Sequence, residues 1–179
     1  MNIYSPDSFA ELEETLEKSV GSGSLNIIRY PKGKEPEYDR GAFSDRGAYS
    51  VADIGGAPRL AVVTYGRVSA AVYEAARKVA DSVRIIRLKR VYPIPEEIFD
   101  KELGGIRAVL FVEEGIKSGG VGEKFAAAAS GRGIAVPVKI RALEEFVPNG
   151  SLSDLLDKYG FTAEKLADEI AGCTEARDE

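Results

Sequence analysis

The 179-residue chain reads as an α/β protein: a three-layer α/β/α unit on a mostly parallel, mixed five-stranded sheet, preceded by a separate βαβ piece. Three observations predict this. Short apolar runs that read as strands alternate with segments of helical periodicity, the pattern of a largely parallel sheet covered on both faces. Two runs, Leu60–Tyr65 and Ala108–Val112, are apolar without interruption, as strands buried on both faces are. A polar, Gly- and Pro-rich stretch after residue 33 separates an opening βαβ unit from the rest.

The elements follow in order. Asn2-Ile3-Tyr4 is a short extended start. A helix opens either at Ser5-Pro6, with proline at the first helical position, or at Ser8, with Glu11 completing a capping box. Phe9, Leu12, Leu16 and Val20 share one face of it. Gly21-Ser22-Gly23-Ser24 ends the helix, and Leu25 to Ile28 is strand. A lone βαβ unit cannot bury both of its faces, so this one calls for a parent sheet that the remaining sequence does not obviously supply. A linker runs over 34–42, and a strand is expected within Ala48–Ile54. Leu60–Tyr65 precedes a helix carrying the stripe Val68, Ala71, Val72, Ala75, Ala76 and Val79. Val83–Leu88 is the next strand, and Pro93 and Pro95 open a short helix through Ile98, Phe99 and Leu103. After Ala108–Val112 a helix spans Gly119–Ser130, and Val136–Ile140 is a last strand whose Pro137 points to an edge or a strand start. Two helices close the chain, capped by Ser151 and Thr162.

Composition narrows the chemistry. There is no histidine, so His-based triads, His-ligated zinc and His acid/base catalysis are excluded within this chain. The one cysteine, Cys173, allows no internal disulfide and reads as a bystander. A net charge of −5 argues against general nucleic-acid binding. No apolar run reaches membrane-spanning length and no secretory leader opens the chain, so neither a nucleic acid nor a membrane is an expected partner, and a cytoplasmic location is expected. No P-loop, paired-carboxylate or Cys-rich metal motif occurs, and the chain looks like part of an active site rather than a whole one.

Ile27-Ile28-Arg29-Tyr30-Pro31-Lys32-Gly33 is the most informative stretch. Ligands of open α/β sheets bind outside the carboxyl ends of strands, and a guanidinium there can hold a phosphate or carboxylate through two parallel hydrogen bonds. A strand end capped by solvated charge is the competing reading. Glu113-Glu114 followed by Gly119-Gly120-Val121-Gly122 leaves a buried strand and enters a helix, but matches neither nucleotide-binding motif; the loop is read as structural or interfacial. The two glutamates would form an acid pair only if adjacent strand residues pointed the same way, and they do not. Arg84, Arg87, Lys89 and Arg90 read as a solvated strand end or as a salt-bridged partner surface.

Taken together, Ser5-Pro6-Asp7 with Glu11 and Leu12, the Arg29-Tyr30-Pro31-Lys32-Gly33 segment, Glu113-Glu114 with Gly119–Gly122, and Phe146-Val147 with Gly150 and the closing helices resemble the C-terminal part of the 1-deoxy-D-xylulose-5-phosphate synthase family of the transketolase superfamily. The resemblance implies that residues 1–33 are the tail of a pyrimidine-binding domain, 34–42 a linker and 43–179 a transketolase-type C-terminal domain. It implies a full-length enzyme using thiamine diphosphate and Mg2+ to condense pyruvate with glyceraldehyde 3-phosphate, losing CO2, in the supply of isoprenoid and thiamine precursors. It places Arg29 at the phosphate of that aldehyde, and no catalytic, cofactor or metal residue in this chain. Expected partners are the N-terminal cofactor-binding domains of the same enzyme and a second copy in a homodimer. The isolated chain is expected to bind no cofactor and to be inactive. Lys32, where the family often has arginine, and Gly115, Asn149 and Ile94-Pro95 depart from the family's usual residues. They leave open another transketolase, a 2-oxo acid dehydrogenase β-type subunit, or a free-standing assembly module.

Overall fold

A computed structural model describes residues 1–79 and 82–175. The main sheet contains β3 (Ser44–Asp45), β4 (Tyr49–Gly55), β5 (Leu60–Tyr65), β6 (Ser82–Leu88), β8 (Ala108–Ile116) and β9 (Val138–Leu143), in the order β3-β4-β6-β5-β8-β9. Strands β6, β5, β8 and β9 run parallel, and β4 pairs antiparallel with β6, Tyr49 opposite Leu88. The five expected strands are thus present in a mixed sheet. A sixth, the two-residue β3, continues the edge beside β4; its polar Ser44-Asp45 gave no apolar run to find.

Alternation along the strands feeds two cores. On one face Ala61, Val63, Ile86, Val109 and Phe111 meet α3 (Glu97–Lys101) and α4 (Val121–Gly131) through Ile98, Phe99 and Phe125. On the other, Leu60, Val62, Ile85, Leu110 and Val112 meet α2 (Val68–Val79) and α6 (Ala163–Glu175) through Val72, Ala76, Leu166 and Ile170. Tyr159, at the end of α5 (Leu152–Lys158), packs at the rim of this second core. Helices on both faces make the three layers. Val138 begins β9 directly after Pro137, and β9 is the sheet's edge.

The opening piece is ordered. Strand β1 (Asn2–Tyr4) pairs in parallel with β2 (Asn26–Ile28) across α1 (Phe9–Gly21). Ser8, not Ser5, is the N-cap: its Oγ accepts from Glu11 N at 3.1 Å, and Glu11 reaches back to accept from Asp7 N at 3.1 Å. The sheet this unit joins is its own. Strand β7 (Arg90–Tyr92), just after β6, pairs antiparallel with β1 and gives the order β2-β1-β7. Three residues of mixed character before a proline carry no strand periodicity, which is why β7 escapes a sequence reading.

The face that α1 presents to the body of the protein is the polar one. Glu11 is buried, and Thr15 and Ser19 are half-buried. Three of the four residues of the apolar stripe face out, Phe9 at 65% exposed, Leu16 at 48% and Val20 at 89%, while Leu12 is half-buried. Leu25 and Ile27 of the following strand segment are also exposed.

Docking of this inverted helix rests on a buried charge network. Arg87 Nη1 donates to Asp7 Oδ1 at 2.9 Å and to Glu11 Oε2 at 2.8 Å; Nη2 donates to Glu11 Oε1 at 3.0 Å and Nε to Ser50 Oγ at 3.1 Å. The Tyr38 hydroxyl donates to Asp7 Oδ2, and Arg40 Nη2 donates to the carbonyl oxygens of Asp7 at 3.1 Å and Pro36 at 2.8 Å. Arg87 is therefore neither solvated nor part of an outer surface. Its neighbours divide similarly: Arg84 grips Asp53 with Nε and Nη2, both at 2.7 Å, and Lys89 holds Asp45 at 2.9 Å.

Candidate functional site: a cationic cleft between the two pieces

Arg29 lies where β2 ends. Its backbone N–H donates to Tyr4 O at 2.9 Å, which extends the β1–β2 pairing by one residue and fixes the start of the turn. Pro31 and Gly33, at φ 117°, complete the turn, a conformation that side chains other than glycine rarely adopt. The Arg29 side chain is exposed and makes no ion pair among the described residues. Its guanidinium carbon stands 5.7 Å from the centre of the Tyr65 ring, a cation–π approach that aims it toward the main sheet.

Ser5, Arg29, Tyr30, Pro31, Lys32, Tyr65, Gly66, Arg67 and Glu114 enclose a cleft of about 350 Å³. It lies between the opening piece and the carboxyl ends of β5 and β8, where an open α/β sheet places its ligands. Three cations and one carboxylate line it. Sequence reasoning found Arg29 and missed Arg67. The same rule would have reached it, since Arg67 follows Gly66 directly at the end of the apolar Leu60–Tyr65 run.

The two adjacent glutamates diverge as strand geometry requires. Glu113 turns into the protein, where Oε2 accepts from the Tyr65 hydroxyl at 2.7 Å and from Val121 N at 3.2 Å, and Oε1 accepts from Gly122 N at 2.9 Å. A buried carboxylate thus meets the first free N–H groups of α4. Burial, and next the Glu113 charge, push the Tyr65 hydroxyl well above the usual tyrosine range. The glycines make this approach possible: a Cβ on Gly120 would stand 2.5 Å from Ile116 O and 2.6 Å from Glu113 Oε1, and one on Gly122 2.9 Å from Ile140. The Gly119–Gly122 loop is a cradle for an internal carboxylate.

Glu114 turns the other way and takes Arg67: Nε to Oε1 at 3.1 Å and to Oε2 at 2.7 Å, Nη2 to Oε2 at 2.7 Å. The pair links the end of β8 to the residue before α2. Below it opens a smaller apolar hollow of about 110 Å³, lined by Leu143, Leu152, Leu155, Leu156 and Phe161 among others. Among the described residues no group of three or more His, Cys, Asp or Glu could hold a metal ion, and no helix is long and apolar enough to cross a membrane.

Comparison with known proteins agrees with this architecture. The chain is 32% identical over 177 residues to the 1-deoxy-D-xylulose-5-phosphate synthase of Treponema pallidum strain Nichols, covering 93% of this chain and 28% of that protein. It is 28% identical over 174 residues to the enzyme of the same name from Caldanaerobacter subterraneus subsp. tengcongensis, covering 94% of this chain and 28% of that one. The chain thus spans little more than a quarter of these relatives. Among solved structures, one described as a split gene transketolase, inactive beta4 tetramer, superposes with a TM-score of 0.82 at 22% identity over 95% of this chain and 56% of its own. The transketolase of Campylobacter jejuni subsp. jejuni NCTC 11168 gives 0.69 at 13% identity, over 94% of this chain and 26% of its own. These two likenesses concern the fold. Residues 53–166 match the family described as transketolase, C-terminal domain, and the chain belongs to that family.

Proposed function

We propose that this chain is the C-terminal portion of a thiamine-diphosphate-dependent synthase that joins a two-carbon unit from pyruvate, with loss of CO2, to glyceraldehyde 3-phosphate, giving 1-deoxy-D-xylulose 5-phosphate. The names of the relatives that align along nearly the whole chain support the reaction. The observation that carries this chain's own part is Arg29, an exposed guanidinium without a carboxylate partner at a strand end, facing a cleft with an excess of positive charge. Its task is to hold the aldehyde's phosphate. A phosphate monoester dianion offers the acceptor geometry that a guanidinium fork matches.

The rest of the chain has an assembly role. Residues 1–33 form the tail of a pyrimidine-binding domain, 34–42 the linker and 43–179 the C-terminal domain. The outward apolar stripe of α1 supports this, because a helix that buries Glu11 and exposes Phe9, Leu16 and Val20 is arranged for a second polypeptide surface on its far side. The upstream domains of the same enzyme supply that surface, and a second copy completes a homodimer. Among the described residues no group of three or more His, Cys, Asp or Glu could hold a metal ion, and no residue of this chain is proposed as a ligand of Mg2+ or thiamine diphosphate. The cofactor belongs to the full-length enzyme, and no step of its chemistry is assigned to a residue of this chain.

The test is a steady-state assay in which this chain is supplied together with the upstream domains, and separately alone. Alone it is expected to show no turnover with pyruvate, glyceraldehyde 3-phosphate and cofactor. In the assembled enzyme Arg29→Ala raises KM for the phosphorylated aldehyde about tenfold, the loss of a solvent-accessible charge-assisted contact, and leaves KM for pyruvate unchanged. Ordinary turnover by the chain alone, or an equal effect on both substrates, would sink the assignment.

A further inference from the structure

Arg67 has the geometry of a ligand-reading group rather than of a simple strut. It stands at the carboxyl end of the central strand β5, immediately before the 12-residue helix α2, on the wall of the cleft opposite the β2 turn that brings Arg29 and Lys32. Of its five N–H donors, Glu114 occupies the Nε–H and one on Nη2. The Nη1 pair has no partner among the described residues, and about a third of the side chain is open to solvent. Glu114 neutralises only one of the three cations. The cleft therefore keeps a net excess of two positive charges, with cations on both walls, Arg29 and Lys32 on one and the Glu114-paired Arg67 on the other, and that excess matches a dianion.

We infer that Arg67 is a second anion-binding side chain of the cleft, so that one phosphate is gripped from both sides, by Arg29 from the opening piece and by Arg67 from the C-terminal domain. This rests on the phosphate reading of Arg29 and adds a residue to it. The Glu114 tether holds the guanidinium in the cleft wall through Nε and Nη2, so little side-chain entropy is lost when an anion arrives. Because Arg29 follows β2 and Arg67 follows β5, the phosphate also bridges the small sheet and the main one.

The experiment is a titration of the chain with inorganic phosphate at fixed ionic strength, following the Nε–Hε signals of the arginines by NMR. In the wild type the Arg29 and Arg67 signals move along one shared isotherm. Arg67→Met weakens phosphate binding about tenfold, the worth of one charge-assisted contact. Glu114→Gln separates ligand reading from support. It breaks the ion pair as Arg67→Met does, yet leaves phosphate affinity equal or higher, because a repelling carboxylate is gone and the guanidinium remains. If Glu114→Gln weakens binding as much as Arg67→Met, the pair is only a strut and the inference is overturned. If Arg29→Ala abolishes binding while Arg67→Met leaves it intact, the inference fails and the proposed function stands. If Arg67→Met weakens binding and Arg29→Ala does not, the Arg29 assignment fails and Arg67 alone carries the anion. If neither signal moves with phosphate, both readings fall.

Discussion

Replacing Arg87 with methionine removes the cation that bonds most closely to both acids of α1's buried polar end. Among the described residues, the cations left are Arg40 for Asp7, at 3.4 Å, and Lys89 for Glu11, at 3.7 Å. Two buried carboxylates share this guanidinium through three charge-assisted contacts of 2.8–3.0 Å, and Ser50 takes a fourth. Methionine fills much the same volume and pairs with neither acid. Breaking a buried pair from one side costs about 3–5 kcal/mol, a large share of the roughly 5–15 kcal/mol that holds a domain folded. The loss has a pH dependence whose sense follows from the two acids. Glu11 ionises below its usual range, because burial opposes its charge but the Arg87 hydrogen bonds and charge prevail. Its contribution is present above the unfolded value near 4.5 and disappears as pH falls through the lower folded value. Asp7 ionises above its usual range, because burial outweighs Arg87 there. Its contribution is present below the unfolded value and is lost as pH rises through the folded one. In the variant both acids lose that cation, so both gain stability on protonation. The deficit is therefore largest at about pH 7 and narrows toward about pH 4. Urea unfolding followed by circular dichroism and tyrosine fluorescence measures it. Native-state hydrogen exchange locates it, with the β1 and β2 amides opening first while those of β5 and β8 stay protected. A destabilisation under about 1 kcal/mol at neutral pH, or a deficit that grows on acidification, would refute the argument.

Three further outcomes follow from the same geometry. Gly120→Ala drives a methyl into the Ile116 carbonyl and the Glu113 carboxylate, and is expected to cost about 1–3 kcal/mol in thermal or urea unfolding, although the backbone there suits any residue. Leu16→Glu on the outward face of α1 is expected to change the chain's own stability by no more than about 0.5 kcal/mol and yet to abolish co-purification with the upstream domains. Alkaline unfolding is expected to set in as pH rises through the ordinary tyrosine range. Burial foremost raises the hydroxyls of Tyr38, Tyr65 and Tyr49, the last to about 12, so all three favour the folded state below the unfolded value near 10 and lose that advantage above it. Tyr65→Phe, which has no proton to lose, is expected to flatten that alkaline limb in a pH series of denaturant midpoints.

The repeating strand–helix pattern and the central apolar runs were legible because local hydrophobic period dictates them. Leu60–Tyr65 and Ala108–Val112 carry no polar group facing either layer except the hydroxyls of Thr64 and Tyr65, as strands between two helical layers do. The place of Arg29, at the carboxyl end of a strand and before a Pro–Gly turn, was legible too, whereas spacing alone fits a solvated strand end as well as an anion site. Tertiary structure decided what spacing cannot carry. The stripe Phe9, Leu12, Leu16 and Val20 announces a helix but not which face turns inward; Leu12 is half-buried and the other three face out, because Glu11 is met by Arg87, 76 residues away. Glu113 and Glu114 are identical neighbours in the sequence. Only the pleat of β8 sends one beneath α4 and the other to Arg67, and only the packing of β1 against β7 brings Arg29 across from Arg67 to make a cleft.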